Sequence, residues 1–268
     1  MNYGDNDKYI WFVRHGESQQ NLSPTMTHVP NERIPLSGKG VEQAKHLAEI
    51  SKVKADKIYI SPYERAIHTA TPYIHKLVEE GHFPMITVDK SLKEFNYYNT
   101  NIRDALYVQT EGTDTFTKML DHYWKELDVN ASHGYATESF KGFLARVVVF
   151  LSNLINLHNY GNLVVFSHYY VITCIRNLFI AGIGEEDTYF NLPDMINALA
   201  EKPLLLKKLM LANQFDENTD ITNCSAFYVH LTPYSPNSPK YNVVEMGFRN
   251  GVNYDGAVGE DIVVKQEH

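Results

Sequence analysis

The sequence predicts an α/β fold, a three-layer sandwich with a mostly parallel central sheet and helices on both faces. Three short apolar runs, each followed by polar or turn-forming residues, are typical of buried parallel strands. They cover residues 9–13, 57–60 and 163–166. Segments with helical spacing alternate with these runs, and such alternation indicates β-α-β units around a shared sheet.

The helices are expected to begin at recognisable caps. Ser61, Pro62 and Glu64 match a capping box, with serine at N-cap, proline at N1 and glutamate at N3. Ser37 is the expected cap of an earlier helix. These caps predict helices at residues 37–52 and from 61 onward. Apolar residues with helical spacing predict two more, at 139–158 and 171–181.

The remaining segments are assigned by composition. The tyrosine-rich, polar residues 95–136 are expected to form an insertion over one end of the sheet, and residues 183–213 a helical region. The other assignments are late strands at 223–231 and 240–247, a loop at 233–239 and a poorly ordered tail after Arg249. Without a convincing linker, residues 1–268 are expected to form one domain.

Composition limits the classes of function. The chain has 24 Lys+Arg against 32 Asp+Glu, a net charge of −8, which argues against broad nucleic-acid binding. No apolar stretch approaches the roughly 20 residues of a membrane span, and no signal peptide is recognisable, so a cytoplasmic protein without a membrane partner is expected. Cys174 and Cys224 are expected to be reduced core thiols.

Candidate functional residues lie where the predicted strands end. Arg14 and His15 follow the first strand, His168 follows the strand at 163–166, and Arg65 lies in the first turn of the helix after the strand at 57–60. Ligands of doubly wound sheets bind at the carboxyl ends of the strands. Two guanidinium groups and two imidazoles in one crevice would suit a phosphoryl group, since arginine forks bind its oxygens and imidazole is a nucleophile or donor.

These residues belong to a longer ordered set of motifs. Arg14-His15-Gly16-Glu17 with Asn21 resembles the signature of the histidine phosphatase superfamily, which includes phosphoglycerate mutases and fructose-2,6-bisphosphatases. The resemblance spans roughly residues 8–180. Its further matches are Leu36-Ser37 with Gly40, Ser61, Arg65-Ala66 with Thr69-Ala70, Leu92-Lys93-Glu94, Glu138-Ser139, Phe166-Ser167-His168 and, later, Asn223-Cys224-Ser225.

The resemblance implies a role for each matching residue. His15 would accept the phosphoryl group, and Arg14, Arg65 and His168 would bind it. Glu94 would protonate the leaving oxygen, although Glu17, Asp89, Glu111 and Glu138 are alternative acids. Asn21 would contact phosphate, or it could simply form an Asx turn.

One position departs from the family's pattern. The residue after the second histidine is usually glycine, and here it is Tyr169, followed by Tyr170. A bulky side chain there is expected to affect the choice of substrate more than the chemistry.

No cofactor is predicted, because the other ten histidines form no H-E-x-x-H or H-x-H pair that would indicate a metal site.

Three functions remain open: a phosphatase, a phosphoglycerate-type mutase and an inactive phospholigand-binding protein. The third is disfavoured because every expected catalytic residue type is present. The mutases that the chain resembles bind a second phosphate with basic groups after the acid, including adjacent arginines. Residues 95–136 hold only Arg103, Lys118 and Lys125 against six acidic residues. The sequence therefore favours a phosphatase acting on a small phosphomonoester.

Overall fold

A computed structural model gives the fold of most of the chain outside residues 97–137 and 192–220. It describes residues 7–22, 29–96, 130, 138–156, 160–182, 189–191, 221–233, 240–249 and 262–264.

The described strands form one mixed sheet with the order β3-β2-β4-β1-β6-β7-β5, and β8 pairs with β7. The four strands β3, β2, β4 and β1 are mutually parallel, whereas β6, β7, β5 and β8 extend the sheet in antiparallel fashion. The strands are β1 (Lys8–Arg14), β2 (Lys57–Ile60), β3 (Met85–Val88), β4 (Asn162–Ser167), β5 (Tyr189–Asn191), β6 (Ala226–Pro233), β7 (Lys240–Arg249) and β8 (Ile262–Val264).

Helices flank the parallel half of the sheet. They are α1 (Gln19–Leu22), α2 (Gly38–Ile50), α3 (Glu64–Glu79), α4 (Phe140–Ile155) and α5 (Tyr169–Gly182), with 3-10 turns at Asn31–Arg33 and Lys90–Leu92. As predicted, Ser37 caps α2, its side chain accepting from the backbone N–H of Gly40. Ser139 caps α4 in the same way through the N–H of Gly142, a cap that was not predicted. None of the helices in the described ranges is long and apolar enough to cross a membrane.

The core has two parts, one on each face of the sheet. Ile10, Phe12 and Val165 point to the face covered by α4 and α5, whereas Ile58 and Val164 point to the face covered by α2 and α3. Successive strand residues are therefore buried on opposite faces, which explains the continuous apolar runs of the three predicted strands. The α/β class with helices on both faces is confirmed.

Several local predictions are corrected. The helix expected from Ser61 begins at Glu64, with Tyr63 at N-cap and no side-chain cap, because the hydroxyl of Ser61 lies 2.7 Å from Nε2 of His168. The edge strand β3 was not predicted, although its sequence Met-Ile-Thr-Val is mostly apolar; three of its four residues are exposed.

Two further corrections concern the C-terminal third. The region 183–213, expected to be helical, contains β5, which pairs with β7, and the tail contains β8. The other residues of both regions, and nearly all of the expected insertion 95–136, lie outside the described residues. Phe95 is an exception, since it is buried in the core. Cys174 and Cys224 are buried free thiols, as predicted.

Candidate active site

His15 lies immediately after β1 and is 5% exposed. Its ring Nδ1 lies 2.7 Å from the carbonyl oxygen of Gly16. A carbonyl oxygen can only accept, so Nδ1 carries the ring hydrogen and Nε2 keeps its lone pair. The Nε–H of Arg65 approaches that Nε2 at 3.2 Å. Nε2 is therefore the nitrogen that faces the cationic side of the site.

The surroundings keep this imidazole neutral. Burial lowers the pKa of His15 well below its ordinary value, and the charges of Arg65 and Arg14 lower it further; the bond to Gly16 acts in the opposite direction. A neutral imidazole is the form that can attack an electrophile.

Two glycines allow the loop after β1 to pack against the start of α2. A Cβ on Gly16 would lie 2.6 Å from the carbonyl oxygen of Gly40, and a Cβ on Gly40 would overlap the carbonyl oxygen of Glu17. The N–H of Gly16 also donates to Oγ1 of Thr69 on α3, at 2.9 Å. Any side chain at either glycine would displace the backbone next to His15.

Arg65 reaches the site from the first turn of α3 and is 3% exposed. Its Nη1 donates to the carbonyl of Asn31 at 2.7 Å, and its guanidinium lies 4.8 Å from the centre of the Tyr63 ring. Burial lowers the pKa of Arg65 to about 10, so it remains charged at neutral pH. The side chain is fixed on both sides, which lets it act as a preorganised cation.

Arg14 is held by the loop before β6. Its Nη1 donates to the carbonyl of Ile221 at 2.6 Å, and its backbone carbonyl accepts from the N–H of Cys224 at 3.1 Å. Cys224 has a φ of 59°, a left-handed conformation rare for a residue with a side chain. In the same loop, the amide of Asn223 donates to the carbonyl of His15 at 3.0 Å. This loop thus supports both residues at the end of β1.

The guanidinium of Arg14 also lies 5.1 Å from the centre of the Tyr169 ring. Tyr169 is the first residue of α5 and replaces the family's usual glycine. The Tyr169 ring therefore packs beside the guanidinium of Arg14.

His168 is fully buried between β4 and α5. The Ser61 hydroxyl oxygen accepts from the N–H of Tyr63 at 3.4 Å, and we assign the hydroxyl hydrogen to Nε2 of His168, 2.7 Å away. Nδ1 is then the protonated ring nitrogen, and among the described residues it has no hydrogen-bond partner. Burial, followed by the charge of Arg65, lowers the pKa of His168 well below its ordinary value. The ring is a neutral donor, with its centre 5.1 Å from that of His15.

Arg14, His15, Arg65 and His168 are thus brought together at the carboxyl ends of β1, β2 and β4. We call these four residues the phosphoryl pocket. Two fixed cations, an imidazole donor and a neutral imidazole nitrogen at one place are groups that could bind and accept a phosphoryl group.

Glu94 lies just after the second 3-10 turn, and the charges of Arg65 and Arg14 act on it. Its Oε1 accepts from the N–H of Phe95 at 2.8 Å, and its Oε2 from that of Tyr170 at 3.4 Å. Burial raises the pKa of Glu94, with these hydrogen bonds and the two arginines opposing the rise. A carboxyl beside a cationic pocket with a raised pKa is suited to donating a proton.

The other candidate acids are engaged elsewhere. Glu17 accepts from the Ser37 hydroxyl at 2.7 Å, Asp89 caps the second 3-10 turn, and Glu138 pairs with Arg146. Glu111 lies outside the described residues. Glu94 is thus the best-placed acid among the candidates that the structure describes.

Asn21 is exposed on α1, and its Oδ1 accepts from both the N–H and the hydroxyl of Ser18, at 2.8 and 2.9 Å. This is a local cap at the start of α1, close to the turn considered as its alternative. The contact with phosphate expected for Asn21 remains a prediction.

Three features of the site were missed from the sequence. The sequence indicates Ser61 as a helix cap and a family match and Asn223 as a family match, without a contact for either, and it does not single out Arg146. Arg146 is a half-buried base in a largely apolar helix whose other base, Lys141, is exposed. A lone arginine at such a position needs several acceptors, and that was the available signal. Within the described ranges, no group of three or more His, Cys, Asp or Glu side chains could hold a metal ion.

The chain is similar to known proteins in both sequence and fold. The adenosylcobalamin/alpha-ribazole phosphatase of Escherichia coli is 27% identical over 168 residues, 62% of this chain and 76% of the relative. The alpha-ribazole phosphatase of Shigella flexneri has a similar fold, with a TM-score of 0.52 at 20% identity, covering 88% of this chain and 94% of that one. A phosphoglycerate mutase of Bacillus anthracis has a TM-score of 0.51 at 18% identity, covering 89% and 92%. The family model of the histidine phosphatase superfamily, branch 1, matches residues 10–193, and the chain therefore belongs to that superfamily.

Proposed function

We propose that the protein hydrolyses small phosphomonoesters in two steps, with the phosphoryl group carried between them on Nε2 of His15. The observation that carries this proposal is the orientation of His15. Its Nδ1–H is committed to the carbonyl of Gly16, and its Nε2 faces Arg65. Phosphatase activity is also what the family and the phosphatases among its relatives support.

In the first step, Nε2 of His15 attacks phosphorus and the bond between phosphorus and the leaving oxygen breaks. Glu94 gives its proton to that oxygen, so the alcohol leaves neutral. The equatorial oxygens gain charge during the transfer, and Arg14, Arg65 and the Nδ1–H of His168 are positioned to stabilise it. The phosphorylated imidazolium keeps its Nδ1–H on the carbonyl of Gly16.

In the second step, water attacks the phosphorus and the bond to Nε2 of His15 breaks. Glu94, now a carboxylate, accepts the proton of the attacking water, which returns both residues to their starting states. Phosphate is the product. Members of the superfamily work without a metal ion, and the two arginines supply positive charge at the transferring group. Turnover is expected to persist with chelator and to be inhibited by vanadate.

We further propose a substrate whose remainder is neutral or weakly charged. Residues 95–136, which directly follow Glu94, carry three bases against six acids, and this balance disfavours a second phosphate or a carboxylate near the leaving group. The name of the E. coli relative makes alpha-ribazole phosphate one member of the test panel. Beside this panel, the protein is assayed on 3-phosphoglycerate with catalytic 2,3-bisphosphoglycerate. Isomerisation faster than phosphate release would favour a mutase instead.

The nucleophile is tested by trapping the intermediate. Brief incubation with a phosphate-labelled substrate is expected to give an acid-labile, base-stable phosphoprotein, with the label on the peptide that contains His15. His15→Ala should abolish both labelling and turnover. His82→Gln is the matched control, because the His82 ring bonds the carbonyl of Ala55 outside the pocket. Label on serine or cysteine, or full activity in His15→Ala, would overturn the proposal.

A further inference from the structure

Arg146 of α4 uses every N–H of its guanidinium in a hydrogen bond. Nε and Nη2 each donate one hydrogen bond to the carboxylate of Glu138. The other three bonds go to backbone carbonyls: Nη1 donates to Ser91 at 2.6 Å and Lys93 at 2.7 Å, and Nη2 to Glu94 at 3.2 Å. These carbonyls belong to residues 91–96, which we call the acid segment.

Other contacts complete the attachment of the acid segment. The remaining carbonyl, that of Leu92, accepts from the hydroxyl of Ser167 at 3.0 Å, so four successive carbonyls from 91 to 94 are held by side chains. The guanidinium lies 4.9 Å from the centre of the Phe143 ring, and Phe143 stacks on Phe95, the residue after the acid.

We propose that Arg146 is a positioning residue for the acid step: it fixes the acid segment so that the Glu94 carboxyl meets the leaving oxygen. This inference rests on the proposed function. Proton transfer requires the carboxyl within hydrogen-bond reach of the leaving oxygen. The backbone at 91–94 lies at the end of the short 3-10 turn Lys90–Leu92 and just after it, so it depends on side chains for this precision. Arg146 supplies three of the four side-chain bonds to its carbonyls.

A positioning role predicts a dependence on the leaving group that a general loss of stability would not. Arg146→Met is expected to slow single-turnover phosphorylation by an alkyl phosphate about 30- to 100-fold, because a displacement near 1 Å costs about that much. The rate with an aryl phosphate of low leaving-group pKa should change less than about 3-fold, since its oxygen needs no acid. Arg146→Lys keeps the charge but not the five-donor geometry, so it should restore only part of the alkyl rate.

Lys76 offers a matched control, because it also holds backbone carbonyls, those of Ala48, Glu49 and Ser51, at 2.8, 3.2 and 2.7 Å. Lys76→Met is expected to lower the thermal midpoint without changing the ratio of alkyl to aryl rates. If Arg146→Met does not fold, Ser167→Ala, which frees only the Leu92 carbonyl, should lower the same ratio by about 5-fold.

The double variant Glu94→Gln with Arg146→Met gives the decisive comparison. If Arg146 acts through Glu94, the double variant should be no slower on the alkyl phosphate than Glu94→Gln alone. Equal loss on both substrates, or additive losses in the double variant, would overturn the positioning role while labelled His15 still upheld the proposed function. Absence of any phosphohistidine in the unmodified protein would instead contradict the proposed function itself.

Discussion

The phosphoryl pocket and the acid segment are built in different ways. His15, Arg65 and His168 of the pocket are at most 5% exposed and lie at strand ends or in the first turn of a helix. The acid segment is a partly exposed loop whose backbone is fixed by the side chains of Arg146 and Ser167. Rigid elements thus hold the groups that we propose to meet phosphorus, whereas a loop holds the group that we propose to meet the leaving oxygen.

This difference separates two kinds of catalytic contribution. Every phosphomonoester presents the same phosphoryl group, so losses in the phosphoryl pocket should be independent of the leaving group. Leaving oxygens differ in basicity, so losses in the acid segment should depend on the substrate. Substitutions in each of the two parts, assayed on aryl and alkyl phosphates, can test this separation.

The largest effect after loss of His15 is expected at Arg65. Arg65→Ala should lower kcat/KM by about 10²- to 10³-fold for aryl and alkyl phosphates alike, because it removes a fixed donor from the transition state. Arg65→Lys should recover little, since a lysine ammonium lacks the planar fork that lets Nε and Nη1 of Arg65 reach two separate acceptors, Nε2 of His15 and the carbonyl of Asn31. Steady-state kinetics on both substrates measures this. A loss confined to alkyl phosphates would place Arg65 with the acid instead.

Glu94→Gln should lower the single-turnover phosphorylation rate by about 10²-fold for an alkyl phosphate and by only a few-fold for a good aryl leaving group. Burial raises the pKa of Glu94, so the acid form persists to higher pH than for an ordinary carboxyl. The alkyl rate should therefore fall as pH rises through that pKa, and this limb should be absent in Glu94→Gln. Because the pKa of His15 is lowered, its protonation should reduce activity only well below the usual range of histidine. An unchanged descending limb in Glu94→Gln would assign the acid to another residue.

The phosphoryl pocket was largely predictable from the sequence, because it depends on strand ends. Buried parallel strands give clear apolar runs, and the residues directly after each run must lie at one edge of the sheet, as with Arg14, His15 and His168. The hydroxyl of Ser61 was assigned to a local cap because nothing in the sequence shows that His168 competes for it. Arg146 was missed for a similar reason: besides Glu138, its acceptors are three backbone carbonyls some 50 residues away in the chain, which have no sequence signature.

The antiparallel half of the sheet was less predictable than the parallel half. The late strands β6 and β7 were expected near their observed positions. β5 and β8 have three residues each, too few for the alternation of apolar and polar residues in a strand to be recognised. β3 lies at the sheet edge and is mostly exposed, so it is not one of the buried strands on which the prediction relied.

Ser61→Ala tests how the tautomer of His168 in the phosphoryl pocket is fixed. Without the hydroxyl, Nε2 of buried His168 loses its hydrogen-bond partner. The tautomer with the hydrogen on Nδ1 is then no longer favoured. One buried hydrogen bond is involved, so a loss of about 10-fold in kcat/KM is expected, equal for aryl and alkyl phosphates. Ser91→Ala is a control, because it removes a hydroxyl in the acid segment and leaves the carbonyl bonded to Arg146 in place. A loss that depends on the leaving group would show that Ser61 acts on the acid segment.

The smallest effect is expected at Tyr169, whose ring stacks beside Arg14 at 5.1 Å. Tyr169→Phe keeps the stacking and should leave inhibition by vanadate and phosphate unchanged. Tyr169→Ala removes it and should weaken both inhibitors by about 2- to 10-fold, the range of a partly buried cation–π contact. Tyr170→Phe controls for the loss of a neighbouring hydroxyl, since the Tyr170 contact with Glu94 is made by its backbone N–H. Because Arg14 belongs to the phosphoryl pocket, the ratio of aryl to alkyl rates should stay constant in all three variants. If Tyr169→Phe weakens the inhibitors as much as Tyr169→Ala, the hydroxyl of Tyr169, and not its stacked ring, is what supports anion binding.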